Sequence, residues 1–288
     1  MRLALLANTA SGTSTDEERL AACLREAGAE VAVHDVREAA PLGMPSSQAP
    51  DGLEGDPDRL VVAGGDGSLG PAAVLAQRLA VALAVVPTGT ANDFARALGL
   101  PRELGEACRL AADPQAATRE VEVGSAGGRP FLNAASAGLS VAAAEAAHPL
   151  KARLGPLAYP LGAAWAAVRE EPLHLRVRVD GEERFAGDAW QVVVAATGHF
   201  GGGSAIGGTT SDDGRLDVAV VPAGSRLGLA WRAAGMVTRV LVRQRAVQHL
   251  RGDAIEVDGV PAFNVDGERC SVEPPRFTTA GRVQVVVP

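Results

Sequence analysis

Lysine is nearly absent. Of 27 basic residues in 288, only Lys151 is a lysine. No G-x-x-x-x-G-K-[ST] segment occurs, which excludes a P-loop NTPase. Protein kinases and Schiff-base enzymes also need a placed lysine, and Lys151 stands in HPLKARLGP, which supplies neither context. Cysteine is equally scarce. Cys23, Cys108 and Cys270 are far apart and odd in number, which suits a reducing compartment better than a disulfide framework. They lack C-x-x-C spacing, so no structural zinc site is expected, and they read as small apolar core residues. Long apolar runs are missing too. MRLALLANTASG has a short apolar stretch that reads as a first strand and not as a signal peptide. Ala189–Ser211 is long enough to span a bilayer, but its six glycines make it a strand followed by a loop. A soluble cytoplasmic protein is expected.

What is present is an ordinary globular composition, 47% hydrophobic and 21% charged, with length for two domains. The net charge of −7 is unevenly placed: 10 basic and 18 acidic residues up to Val123, then 17 basic and 16 acidic. An acidic first half argues against nucleic acid as a partner. It suits a metal–nucleotide complex, where the cation brings the positive charge.

The first 120 or so residues alternate strand and helix. RLALLA, EVAVHDV, RLVVA and VALAVV read as strands. Ser14-Thr15-Asp16-Glu17 reads as a capping box opening a helix that Gly28 ends, and residues 40–58 read as a loop. Another helix is expected from about Leu69. This β-α-β order predicts a parallel sheet with helices on both faces. After Glu120, β-branched runs such as WQVVVAATG are separated by Asp180-Gly181, Asp258-Gly259 and Asp266-Gly267. That predicts a mostly antiparallel second domain with hairpins, interrupted by helices near Ala142–Arg169 and Arg226–Val242. The expected fold class is therefore α/β: a nucleotide-binding domain over residues 1–123 and a β-rich domain over 124–288.

Gly64-Gly65-Asp66-Gly67-Ser68 follows a strand and opens a helix. Glycines there let backbone N–H groups approach a phosphate, and the helix N-terminus favours anions. An aspartate in such a loop repels bare phosphate and makes sense if Mg²⁺ lies between them; otherwise it caps the helix in a tight turn. Pro87-Thr88-Gly89-Thr90-Ala91-Asn92-Asp93 repeats the design after the next strand, and alone it reads equally as an N-cap. Asn8-Thr9-Ala10-Ser11-Gly12 follows strand one. Three such loops share the carboxyl edge of one parallel sheet, where α/β proteins bind ligands.

With NTASG, GGDGS, PTGTANDFARALGLP, FLNAASAG, GHFGGG, SDDGRLDV and NVDGE in this order, the chain resembles the diacylglycerol kinase catalytic-domain family, which includes bacterial lipid kinases and sphingosine kinases. The resemblance implies an ATP- and Mg²⁺-dependent lipid kinase, with a β-sandwich-like second domain that meets lipid at the membrane surface and has no spanning segment. It leaves a homodimer open. It implies that Asn8, Thr9, Ala10, Ser11, Gly12, Ala63, Gly64, Gly65, Asp66, Gly67, Ser68, Leu69, Thr90 and Asn92 meet ATP. Glu268 would be the general base, with Asp66 part of the catalytic centre. Read without the family, Glu268 is a solvated hairpin residue. Asp213, with the carbonyls of Thr210 and Arg215, matches a family Mg²⁺ position, linked through water to Asp66 and Asp93.

The chain also departs from the family. Gly70 and Pro71 replace the usual Asn and Glu, no threonine is evident near Val36, and Gly207 and Thr209 stand where Pro and Ala are usual. Pro71 fits a first helical turn. Two alternatives stay open: a kinase of a sugar phosphate or NAD with phosphofructokinase- or NAD kinase-like loops, and a catalytically impaired lipid- or nucleotide-binding protein. His199, in GHFGGG, reads as a loop residue, and His34, His148, His174 and His249 lack metal-ligand spacing. Arg226–Arg251 contains no acid, and Arg232, Arg239 and Arg243 are spaced seven and four. They share a helical face that is either solvated or docks anionic headgroups during transient membrane contact.

Overall fold

The computed structural model describes residues 1–7, 14–35, 56–139, 169–197, 214–224 and 247–288, with 141–142, 165, 199–200 and 204–205. The first half runs β1 (Arg2–Ala7), α1 (Ser14–Glu26), β2 (Glu30–Asp35), β3 (Arg59–Gly64), a 3₁₀ turn (Asp66–Ser68), α2 (Leu69–Leu79), β4 (Ala82–Pro87), α3 (Asp93–Ala97) and α4 (Leu104–Ala112). Its strands lie parallel in the order β2-β1-β3-β4. Side chains alternate across a strand, and both faces are apolar here. Ala4, Leu6, Leu60 and Val62 pack with Leu69 and Leu75 of α2, while Leu3, Leu5 and Val61 pack with Leu20 and Leu24 of α1 and Cys108 of α4. The helices therefore cover both faces, as the strand–helix alternation predicts. Of the three cysteines only Cys108 is buried; Cys23 and Cys270 are half-buried, at the edges of their clusters.

The second half runs β5 (Ala117–Ala126), β6 (Arg129–Phe131), β7 (Ala134–Gly138), β8 (Leu173–Val179), β9 (Glu182–Ala195), β10 (His199–Phe200), β11 (Ser204–Ala205), β12 (Leu216–Pro222), β13 (Gln248–Gly252), β14 (Ala254–Asp258), β15 (Phe263–Val265), β16 (Glu268–Cys270) and β17 (Arg276–Val287). Among the described residues, all but β10 and β11 belong to one 15-stranded sheet with the first half. Pairing in the second half is antiparallel, around a core that includes Phe131, Val177, Val194, Val218, Ile255, Phe263 and Phe277. β17 lies antiparallel along β5 and joins the parallel strands where Val285 meets Leu83 of β4. The expected division at 123/124 falls within β5.

Two of the three Asp-Gly pairs make the expected hairpins. Asp180-Gly181 joins β8 to β9 with φ of 52° and 84°, and Asp266-Gly267 joins β15 to β16 with φ of 47° and 92°. Positive φ at both central residues is the type I′ pattern that Asp-Gly accommodates. Asp258-Gly259 makes no hairpin: β14 pairs with β8 and β17, and β15 pairs with β7 and β16. There the chain passes close under β8, where a Cβ on Gly259 would lie 2.2 Å from the His174 carbonyl oxygen. The helix expected at Arg226–Val242 and most of Ala142–Arg169 lie outside the described residues.

Candidate active site

The loop after β3 and the loop after β4 touch backbone to backbone. A Cβ on Gly89 would lie 2.5 Å from Gly65 Cα, and one on Gly65 would lie 3.3 Å from Gly89 Cα. Thr88 N–H donates to the Gly64 carbonyl at 3.1 Å, and Ser68 Oγ donates to the Gly65 carbonyl at 2.7 Å. Glycine is required at this contact because any side chain would part the loops. Thr90 is exposed beside it. No side chain caps the start of the 3₁₀ turn or of α2, so this helix end fits the phosphate of a nucleotide.

Asp66 does not face outward into this loop edge. Its Oδ2 accepts the Asp93 N–H and its Oδ1 the Phe94 N–H, each at 3.1 Å. It therefore caps α3 from another loop. Asn92, in the left-handed region at φ 48°, makes no side-chain cap and donates from Nδ2 to the Gly89 carbonyl at 2.7 Å. Asp66 Oδ1 also accepts Asn133 Nδ2–H at 3.0 Å. Asp93 pairs with Arg96 at 2.8 Å.

Asn133, in FLNAASAG, ties this corner to the second half. It is 4% exposed. The segment around it is held by Asp266 of NVDGE, whose Oδ2 accepts Leu132 N–H at 2.7 Å and whose Oδ1 accepts the N–H groups of Asn133 and Ala134 at 2.9 and 3.1 Å. Burial pushes the Asp266 carboxyl up to about 7 against the pull of those three donors, and the Asp66 charge adds to the rise. Asn264 Oδ1 closes the turn by accepting Gly267 N–H at 2.9 Å. The turn sends Glu268 toward the first loop: a Cβ on Gly67 would lie 2.6 Å from Glu268 Oε1. Glu268 also pairs with Arg129 of β6 at 2.5 Å.

Four separated motifs thus meet at one corner: GGDGS, PTGTANDFA, FLNAASAG and NVDGE. The chain matches the family described as diacylglycerol kinase catalytic domain over residues 2–126. Over residues 133–287 it matches the one described as YegS C-terminal NAD kinase beta sandwich-like domain. The chain belongs to the diacylglycerol kinase catalytic-domain family, and it is a kinase. It is 34% identical to the "Probable lipid kinase YegS-like" of Pseudomonas savastanoi pv. phaseolicola, over 80% of this chain and 75% of the relative. It is 29% identical to the diacylglycerol kinase of Bacillus subtilis, over 100% and 96%. A crystal structure of a diacylglycerol kinase from Bacillus anthracis shares the fold, with TM-score 0.70 and 22% identity over 100% of this chain and 97% of that one.

Against the family pattern, the structure brings Ala63–Leu69, Thr90, Asn92, Asp93 and Glu268 to one corner. Asn8–Gly12, Thr210 and Asp213 lie outside the described residues. Arg215 is described, and its side chain points to Asp253 with Nε 3.4 Å from Oδ1. Next to it, Gly214 faces the exposed Arg282 and the buried Glu122, whose nearest atoms would each be 3.9 Å from a Cβ there. Two residues after Arg215, buried Asp217 holds His249 at 2.9 Å and Arg251 at 3.1 Å. No group of three or more metal-binding side chains occurs among the described residues. Both Asp66 oxygens accept N–H donors, one on Oδ2 and two on Oδ1. The acceptors Asn92 Oδ1 and Asn133 Oδ1 are buried without a protein donor among the described residues. Such atoms fit the hydration shell of a cation or a ligand hydroxyl.

Gly70 has a local reason. A Cβ there would lie 2.3 Å from the Pro130 carbonyl oxygen, because α2 packs directly on β6. Asn133, Asp266 and Arg129 also meet at this corner and were not singled out as site residues from the sequence. The first two stand inside quoted motifs, in the connections between β6 and β7 and between β15 and β16. Nothing local marks Arg129.

Proposed function

We propose that this kinase transfers the γ-phosphate of ATP to a lipid hydroxyl, with diacylglycerol or a related lipid as the first candidate, in a Mg²⁺-dependent reaction. The observation that carries the reading is Glu268 lying against Gly67. It brings a carboxylate from the second half of the chain to the phosphate-type loop of the first. Phosphoryl transfer to an alcohol needs an acceptor for the hydroxyl proton beside the transferred group. Glu268 Oε1 is that acceptor. The loops Ala63–Leu69 and Thr88–Asn92 would hold the nucleotide phosphates through backbone N–H groups, with Asn8–Gly12 completing the site. Bound Mg²⁺ supplies charge neutralisation on the phosphates. Its ligands would be Asp213 with the Thr210 and Arg215 carbonyls, linked to Asp66 and Asp93 through water.

Names of relatives support lipid as acceptor: the proteins from Pseudomonas savastanoi and Bacillus subtilis carry "lipid kinase" and "diacylglycerol kinase" in theirs. No helix among the described residues is long and apolar enough to cross a membrane. The substrate would therefore be met by transient association with a membrane surface.

The test is transfer of labelled γ-phosphate over a panel of lipids, NAD and sugar phosphates, by the wild type and Glu268→Gln. A lipid product is expected. The variant should lose turnover about 10²–10⁴-fold, the usual cost of a lost general base, with ATP binding kept. Label appearing on NAD or a sugar phosphate would overturn the lipid assignment. Unchanged turnover in the variant, with transfer rate-limiting, would overturn the base.

A further inference from the structure

We infer that Arg129 is the positioning residue for Glu268, orienting the carboxylate over the Gly67 loop; this rests on the general-base reading above. Glu268 stands just after a two-residue turn, and its side chain is 51% exposed. A glutamate in that setting samples several rotamers. Among the described residues, one hydrogen bond restrains its carboxylate: Arg129 Nη2–H donates to Oε2 at 2.5 Å. That leaves Oε1, the oxygen nearer Gly67, without the guanidinium on it. The pair thus separates the two oxygens, one anchored and one turned to the loop.

Arg129 is itself well fixed. Its side chain is 19% exposed. It opens β6 directly after the Gly127-Gly128 turn, and it pairs with Ala126 of β5. The next residue, Pro130, packs its carbonyl on Gly70 in the first turn of α2. A closed ring results. The GGDGS loop leads into α2, α2 rests on β6, β6 carries Arg129, Arg129 holds Glu268, and Glu268 returns to the loop at Gly67. Gly70, where a Cβ would lie 2.3 Å from the Pro130 carbonyl oxygen, is the link that lets β6 come this close. The ring sets the distance between the phosphate-type loop and the oxygen that takes the proton. An ion pair with one half-exposed partner adds little to stability, whereas a small misplacement of a catalytic group costs up to about 100-fold in rate.

The experiment compares wild type, Arg129→Gln, Arg129→Lys, Glu268→Gln and the double variant Arg129→Gln/Glu268→Gln. Initial rates are measured with ATP and lipid each varied, beside melting curves. Arg129→Gln should lower kcat about 10–100-fold, with both KM values and the melting temperature close to wild type. The observed contact uses one nitrogen, so Arg129→Lys should recover most of kcat. The double variant should be no slower than Glu268→Gln, because nothing remains to be positioned. Wild-type kcat in Arg129→Gln beside a slow Glu268→Gln overturns the role of Arg129 alone. Multiplying losses in the double variant overturn it as well, since Arg129 would then act independently of Glu268. Wild-type kcat in Glu268→Gln overturns the base, and the positioning role with it. Should Arg129→Gln unfold, Arg129→Lys decides: a loss as large as that in Glu268→Gln overturns the inference.

Discussion

Asp266→Asn should change the stability of this protein by an amount that depends on pH. Asp266 is 7% exposed, and its carboxyl takes three backbone N–H bonds. Burial raises it from 3.8 to about 7. A carboxyl raised in the folded state contributes stability that is complete below its unfolded value and is lost as pH rises through the folded value. The window therefore runs from about pH 4 to about pH 8. Three units at about 1.4 kcal/mol each make the whole effect about 4 kcal/mol, and about 3 kcal/mol of it lies between pH 5 and pH 8. Asparagine removes the titration. Its single carbonyl cannot serve all three donors, and turning an amide N–H₂ toward the Leu132 N–H costs about 1–3 kcal/mol. At pH 5 the variant should thus be the less stable protein. At pH 8 the difference should close or reverse, because wild type has lost its protonated carboxyl. Urea unfolding of both proteins at the two pH values reads this directly, and titrating groups that do not interact with Asp266 cancel in the comparison. A difference that is the same at pH 5 and pH 8 would refute the reasoning. It would mean that the three N–H donors hold Asp266 ionised throughout.

Asp66→Asn removes the carboxylate that caps α3 and holds Asn133; melting should fall by the equivalent of about 1–2 kcal/mol. Mg-ATP affinity should fall by more than that loss explains, measured by nucleotide titration with and without Mg²⁺. Equal Mg²⁺ dependence in both proteins would leave Asp66 a helix cap only. Gly89→Ala would drive a Cβ to 2.5 Å from Gly65 Cα. Overpacking of that kind costs about 1–3 kcal/mol, and the parted loops should bind ATP more weakly; unchanged melting and affinity would show that the two loops do not act as one cradle.

Much of the fold was legible because its signals are local. RLALLA and RLVVA are apolar on both faces, and strands of that kind lie between two layers of helix. Asp180-Gly181 and Asp266-Gly267 announce hairpins because both residues accept positive φ. The same signal failed at Asp258-Gly259, where the strand leaving the turn pairs elsewhere. A turn residue reports the bend and says nothing of the partner.

The sequence by itself determined the elements and the motifs: glycines where loops approach, small residues at the sheet's carboxyl edge, and Glu268 one residue past a type I′ turn. It could not say that Asp66 turns inward to cap α3, that Asn133 joins Asp66 to the Asp266 segment, or that Arg129 holds Glu268. These contacts link residues 27, 67 and 139 positions apart. Backbone propensity acts over a few residues, whereas these hydrogen bonds between distant segments need β6 packed on α2 and the Asp266 turn set against the Leu132–Ala134 segment. Tertiary structure therefore decided which of the polar residues in the motifs brace one another and which Glu268 oxygen faces the Gly67 loop.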